Sequence, residues 1–90
     1  MKKRSRTEII YQILQILLRD RNGVGITEIM YGSFLSFKPV KQYLMLMIHN
    51  DLVQYIPETQ TFKLTQKGHR FLELYEGVSV VMQEPRQLQQ

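Results

Sequence analysis

The order of local signals in the middle of the chain constrains its fold more than any other feature. Thr27 and Ser36 each precede an apolar helical pattern, and a two-stranded pattern over residues 52–64 follows without a long linker. Both residue types are typical helix N-caps, and the polar residues 57–60 suit a hairpin loop. Thr65 then begins a last helix. Together with a first helix before residue 20, the order is helix-helix-helix-strand-strand-helix, which predicts a mainly α fold with a small β-hairpin (α+β).

The predicted third helix, residues 36–50, has two different faces. An apolar stripe recurs at the helical spacing i, i+3, i+4, i+7, i+8, and its members are Val40, Tyr43, Leu44, Met47 and Ile48. The opposite side, at 100° per residue, holds Lys38, Gln42, Met45 and His49, with Lys41 on the flank. One face is therefore expected in the core, and the other is free to meet a partner.

Size and charge limit the kinds of protein that fit. The 90 residues are 43% hydrophobic and lack cysteine, which predicts one folded domain in a reducing cytoplasm. Residues 1–45 hold eight Lys/Arg against three Asp/Glu, whereas residues 46–90 hold four against five. This imbalance suggests an anionic partner, nucleic acid first and a membrane surface second.

Three segments are expected along the chain. Residues 1–6 form a basic leader and residues 7–76 the folded domain, within which Val24-Gly25-Ile26 is expected to add a short strand beside the hairpin. Residues 77–90 are the end of the last helix and a frayed tail that begins near Gln83. The first helix is too short and too polar to span a bilayer. Since nucleic acid is favoured over a membrane surface as the anionic partner, we expect no membrane partner.

Enzymatic and metal sites find little support. The two histidines, His49 and His69, lie on different elements without cysteine or paired carboxylates nearby. The glycines form no phosphate-binding motif, and neither Ser33 nor Ser36 has a partner to activate it. We expect no catalytic residue, no metal and no cofactor.

Several short motifs together resemble a known family. They are Leu35-Ser36-Phe37-Lys38, Tyr43-Leu44, Asn50-Asp51-Leu52-Val53 and Phe62-Lys63-Leu64-Thr65-Gln66-Lys67-Gly68, continuing to Phe71-Leu72. Over roughly residues 3 to 77 the chain resembles small archaeal winged helix-turn-helix proteins, predicted transcriptional regulators. Asp51 replaces the glycine usual in that family at the step into the wing, so a tight left-handed turn there is either tolerated by Asp or altered.

The resemblance implies binding of double-stranded DNA, with helix 36–50 in the major groove and hairpin 52–64 as the wing. Candidate DNA-binding residues are Ser36, Lys38, Lys41, Gln42 and Met45 on the helix, Thr59, Gln60 and Lys63 on the wing, and Lys2, Lys3, Arg4 and Arg6 in the leader. Each group also has a structural explanation, because the helix face, the wing and the leader could simply be solvated. Met45 fits a thymine methyl group or a protein partner.

An apolar stripe on the last helix predicts a homodimer. It continues beyond what a small domain can cover, and its members are Phe71, Leu74, Tyr75, Val78 and Met82. Ile9, Ile13 and Ile16 of the first helix could complete the interface. The alternative is that the last helix folds back on its own core.

The sequence therefore favours a homodimeric, sequence-specific transcriptional regulator. The alternative is a winged-helix protein-protein interaction module in a larger assembly, because a fold alone does not decide function. RNA binding is less favoured, since an exposed aromatic platform for single strands is not evident. The target sequence, a regulatory ligand and the direction of regulation do not follow from the residues.

Overall fold

The structure is a computed structural model that describes the backbone of residues 3–88 and the side chains of residues 3–78. Its elements are α1 (Arg6–Leu17), β1 (Val24–Gly25), α2 (Ile26–Ser33), α3 (Phe37–His49), β2 (Val53–Ile56), β3 (Thr61–Leu64) and α4 (Gln66–Leu88). The predicted α+β class and order are confirmed, and β1 is the expected short strand.

The three strands form one antiparallel sheet in the order β1-β3-β2. Val24 of β1 and Tyr55 of β2 both lie opposite Phe62 of β3. The Tyr55 and Phe62 rings pack with their centroids 5.0 Å apart. Because β1 directly precedes α2, this pairing ties the hairpin to the start of the second helix.

The core lies between the first three helices and the sheet. Its fully buried members include Ile13, Leu14, Leu17, Val24, Ile29, Val40, Leu44 and Met47. The predicted inner stripe of α3 is confirmed, since Tyr43 and Ile48 also pack against this cluster. The orientation of α3 is therefore fixed by burial of that stripe.

The first helix begins at Arg6, one residue before the predicted start at Thr7. Ser5 is its N-cap: the Ser5 hydroxyl accepts a hydrogen bond from the Glu8 N–H at 3.0 Å, and the Ser5 N–H donates to the Glu8 carboxylate at 2.7 Å. This reciprocal pair is a capping box, whose Ser-x-x-Glu signal is present in the sequence. Arg6 thus belongs to the helix rather than to a floppy leader.

The second helix also starts earlier than expected. Gly25 is its N-cap without a side-chain bond, and Thr27 lies exposed in the first turn. The strand pairing of Val24 and Gly25 holds the backbone extended up to this point, so the helix starts immediately after it. At the other end, Phe34 takes a left-handed conformation, φ 60° and ψ 31°, and its N–H donates to the Met30 carbonyl.

The step from α3 into the wing keeps the left-handed turn, the first of the two alternatives left by the sequence. Asp51 has φ 62°, and the next N–H, that of Leu52, donates to the Met47 carbonyl at 2.8 Å. Asp is among the few residues that tolerate this conformation through its short polar side chain. The chain therefore reverses at the end of α3 without a glycine.

The predicted Thr65 cap of α4 is confirmed. Its hydroxyl accepts from the Gly68 N–H at 3.0 Å and donates to the Asp51 carbonyl at 2.5 Å. The helix then continues through Gly77 to Leu88, across residues for which fraying is expected from the sequence. A single glycine lowers helix stability by only about 1 kcal/mol, which a helix of this length absorbs.

Candidate nucleic-acid interface

The outward face of α3 carries the side chains expected there. Lys38, Lys41 and Gln42 are exposed, and Met45 is 61% exposed although it is apolar. Ser36, the N-cap, is exposed too, and its hydroxyl makes no hydrogen bond to the first turn. The groups predicted to contact DNA thus lie together on one accessible helix face, and DNA contact by them stays a prediction.

The charge of this region has one sign. From residue 29 to residue 50 the sequence contains no Asp or Glu, while Lys38 and Lys41 lie on α3. The Lys41 ammonium lies 5.7 Å from the centroid of the Phe37 ring, within reach of a cation–π interaction. Since no carboxylate of this segment neutralises these lysines, the face is suited to an anionic surface.

Arg4 has a structural role that the sequence did not reveal. Its guanidinium donates to the Gln12 side-chain oxygen at 2.6 Å and to the Ser33 carbonyl at 2.8 Å. The first bond fixes the leader against α1, and the second satisfies a carbonyl at the end of α2, where helices leave such groups unpaired. Arg4 is therefore an anchored cation beside the α2–α3 turn rather than part of a free leader.

The rest of the leader is divided. Lys3 is exposed, Arg6 is exposed on α1, and Lys2 lies outside the described residues. Arg6 lines an open depression together with Gln42, Tyr43 and Leu46 of α3. The structure thus brings one predicted leader cation to the flank of the predicted DNA-reading helix.

The wing presents the predicted polar groups on its surface. Thr59, Gln60 and Lys63 are all exposed. The Thr59 and Thr61 hydroxyls are 2.7 Å apart and share a hydrogen bond, and Gln60 takes a left-handed φ of 54° that closes the turn. Lys63 lies further along the wing, within β3 and opposite Gln54 of β2.

Three aromatic side chains around the α2–α3 turn are exposed, and sequence reasoning missed two of them, Tyr31 and Phe34. Tyr31 is 78% exposed, Phe34 is 89% exposed, and Phe37 is half-exposed. A signal existed for Tyr31, because Ile29 and Met30 already fill the inner face of a helix of eight residues. For Phe34 the relevant fact is its left-handed backbone, which the sequence did not indicate.

The apolar stripe predicted for dimerisation is split by the structure. The Tyr75 ring stacks on Tyr11 of α1 with centroids 4.3 Å apart, and Phe71 packs against the core next to Tyr75. Leu74 and Val78 remain 64% and 61% exposed, and the Met82 side chain lies outside the described residues. Part of the stripe therefore folds back on its own chain, as in the alternative considered above.

Helix α1 has little to add to such an interface. Ile13 and Ile16 are buried in the core, and Ile9 is half-buried against it. The expectation that these residues complete a dimer contact is wrong for Ile13 and Ile16, because α2 and the sheet already cover them.

The hydroxyl of Tyr11 donates to the Glu76 carboxylate at 3.2 Å and accepts from the Gln15 amide at 2.9 Å. Burial, followed by the bond to Glu76, raises the pKa of Tyr11.

Two further observations concern other kinds of site. Within the part of the chain that the structure describes, no group of three or more His, Asp or Glu side chains is arranged to hold a metal ion. None of the helices in the described range has the length and apolar content needed to cross a lipid bilayer.

Comparison with known proteins gives a family and a fold. The model of a family described as winged helix-turn-helix matches residues 3–83. Among solved structures, the chain is similar to Sso10a-2, a DNA-binding protein from Sulfolobus solfataricus, with a TM-score of 0.77. The two are 19% identical, and the match covers 96% of this chain and 90% of that one. No curated protein sequence matches the chain.

Proposed function

The chain belongs to the winged helix-turn-helix family, and from this premise we propose that it binds double-stranded DNA as a homodimeric, sequence-specific transcriptional regulator in the cytoplasm. The observation that carries the proposal is the exposed face of α3, which presents Lys38, Lys41 and Gln42 within a segment that has no carboxylate. The DNA-binding description of Sso10a-2, which shares the fold, supports the same conclusion.

Each side chain on this face has a distinct chemical use. Lys38 and Lys41 bind phosphates or guanine edges, and Gln42 matches the donor and acceptor pair of adenine in the major groove. Met45 suits the thymine methyl group, because it is apolar and exposed at the same face. The contacts to base edges distinguish one base pair from another, whereas the contacts to phosphates only fix the position of the protein on the DNA.

The leader and the wing extend the contact along the DNA backbone. Arg6 flanks α3, Lys3 is exposed just before α1, and Lys63 lies on the wing with the polar tip residues Thr59 and Gln60. These cations bind phosphates without reading sequence, so their main effect is on affinity and on its salt dependence. Ser36, whose hydroxyl does not cap α3, adds a neutral donor at the helix start.

The proposed homodimer uses the exposed part of α4. Leu74 and Val78 lie exposed one helical turn apart, and leaving both in water is unfavourable when a second copy can cover them. A twofold dimer also presents two α3 helices to one side of the duplex, with half-sites about 34 Å apart. Such a pair is suited to a palindromic target.

A salt series with labelled duplex DNA tests the proposal. Binding of a random-sequence duplex, measured by fluorescence anisotropy, is expected to weaken steeply as salt increases, because counterions are released on binding. Replacing Lys38 and Lys41 together with Ala is expected to weaken binding and to reduce the slope of log affinity against log salt by about one per lost phosphate contact. Lys67→Ala serves as the matched control, because Lys67 is an exposed lysine at the start of α4. This variant is expected to bind DNA like the wild type.

The outcome also separates DNA binding from the second candidate. A wild-type chain without measurable binding at low salt contradicts the proposal and favours a protein-protein interaction module, which the exposed Met45 supports. If the wild type binds and the double variant binds equally well, α3 is not the reading helix. A circular-dichroism melt of each variant checks that the fold is intact, because exposed lysines contribute little to stability.

A further inference from the structure

The apolar surface at the α2–α3 turn is the feature that DNA contact by α3 alone leaves unexplained. We call it the turn patch, and its side chains are Met30, Tyr31, Phe34 and Leu35, which line one open depression with Thr27. Met30 and Leu35 also pack against the core, whereas Tyr31 and Phe34 are almost fully exposed. The outer half of the patch is therefore two aromatic rings in water.

Folding stability does not account for Phe34. Its backbone is left-handed, with φ 60°, a conformation that glycine or asparagine adopts most easily at the end of a helix. A bulky side chain is unfavourable there, and this one gains almost no burial in return, being 89% exposed. A phenyl ring at this place is thus explained by contact with something outside the chain.

Charge complementarity favours nucleic acid as the contact. The Arg4 guanidinium is bonded to the Ser33 carbonyl, immediately before Phe34 in the chain. The nearest carboxylate along the sequence, Glu28, lies 3.8 Å from the Arg19 guanidinium. The patch is also continuous with the start of α3, since two residues separate Phe34 from Phe37, over whose ring the Lys41 ammonium lies. An apolar surface with Arg4 and Lys41 beside the turn fits a polyanion that has apolar parts.

The geometry points to Phe34, assisted by Tyr31, as an apolar contact to duplex DNA beside the groove that α3 occupies. This inference rests on the proposed DNA binding and adds to it an apolar contact beside the polar contacts of α3. Its counterpart is the apolar part of the duplex, namely the deoxyribose edges, thymine methyl groups and base faces. Such a contact adds affinity without pairing a cation with a phosphate, so its contribution to the affinity does not depend on counterion release.

Substitution of Phe34 separates this contact from the phosphate contacts. Phe34→Asn is expected to lower affinity for a random-sequence duplex by roughly tenfold at fixed salt, a factor that corresponds to about 1.4 kcal/mol. The slope of log affinity against log salt is expected to stay at the wild-type value, because no cation is removed. The melting temperature is expected to rise, because asparagine suits the left-handed backbone better. Phe34→Leu keeps an apolar side chain there and is expected to retain most of the affinity.

Leu18→Asn is the matched control, since it replaces another exposed apolar residue, which lies at the end of α1 and lines a different depression from that of the turn patch. It is expected to bind DNA like the wild type. Equal DNA affinity of wild type and Phe34→Asn overturns the inference and leaves the proposed function standing. If that equality comes with a change in sedimentation, the turn patch is a protein contact instead. A wild type that does not bind duplex DNA removes both proposals.

Discussion

Two glycines of the same helix provide a matched pair of perturbations with opposite expected signs. At Gly68, in the first turns of α4, an added Cβ overlaps the Leu52 carbonyl oxygen and lies 2.9 Å from a Leu64 methyl carbon. At Gly77, further along the helix, no described atom lies within 4 Å of the added Cβ. Neither glycine has a positive φ, so Ala suits both backbones and only the surroundings differ.

The magnitudes follow from two effects. Replacing a helical glycine with alanine stabilises the helix by about 1 kcal/mol. At Gly77 nothing opposes this gain, so Gly77→Ala is expected to raise the free energy of unfolding by up to about 1 kcal/mol. At Gly68 the added methyl group is opposed by overpacking, which typically costs about 1–3 kcal/mol.

The upper part of that range applies at Gly68 because the obstacle is backbone. The Leu52 carbonyl accepts a hydrogen bond from the Thr65 N–H at 3.2 Å, so moving it weakens the bond between the wing and the start of α4. Gly68→Ala is therefore expected to lower the free energy of unfolding by about 1–2 kcal/mol after the helix gain is subtracted.

Thermal and urea unfolding, followed by circular dichroism at one protein concentration, measure both changes. A difference of 1 kcal/mol corresponds to about 4–8 °C in melting temperature for a domain of this size. The two variants are thus expected on opposite sides of the wild type. A Gly68→Ala chain as stable as Gly77→Ala would refute the close packing of α4 on the wing.

Three further predictions concern α4 and its contact with α1. Leu74→Glu combined with Val78→Glu is expected to give a monomer in sedimentation. The fold of that monomer is expected to lose little stability, because both side chains are exposed in the single chain. A wild type that is monomeric at high micromolar concentration would contradict the dimer. Tyr75→Glu, by contrast, is expected to destabilise the monomer itself, since its ring stacks on Tyr11. The raised pKa of Tyr11 means that the folded chain keeps the phenol proton longer than the unfolded chain does. Stability is therefore expected to fall as the pH rises past the ordinary tyrosine value of 10.0. Tyr11→Phe is expected to make that alkaline loss smaller, as measured by urea unfolding at several pH values.

The element order was predictable because its signals are local. Ser36 and Thr65 begin helices where the sequence indicates, and Asp51 takes the left-handed turn that its position requires. The inner face of α3 was also predictable, since burial of an apolar stripe at helical spacing fixes how a helix is rotated. The capping box at Ser5 was equally local, so its Ser-x-x-Glu pattern could have been recognised.

The unpredicted parts of the site depend on contacts between distant segments. Arg4 and Ser33 are 29 positions apart, and no periodicity links them. The stacking of Tyr75 on Tyr11 likewise depends on how α4 crosses α1, which an apolar stripe does not specify. The apolar stripe therefore does not decide between packing on the same chain and packing on a second copy, and the interface stays a prediction.

The two hydrogen bonds of Arg4 make the segment before α1 a mechanical part of the α2–α3 turn. The guanidinium joins α1, through Gln12, to the last carbonyl of α2. Any alteration of the chain before Ser5, such as a fused tag or a trimmed terminus, acts on this joint as well as on the local charge. Binding studies of the chain are therefore best made with residues 3–5 unaltered and with labels or tags attached away from them.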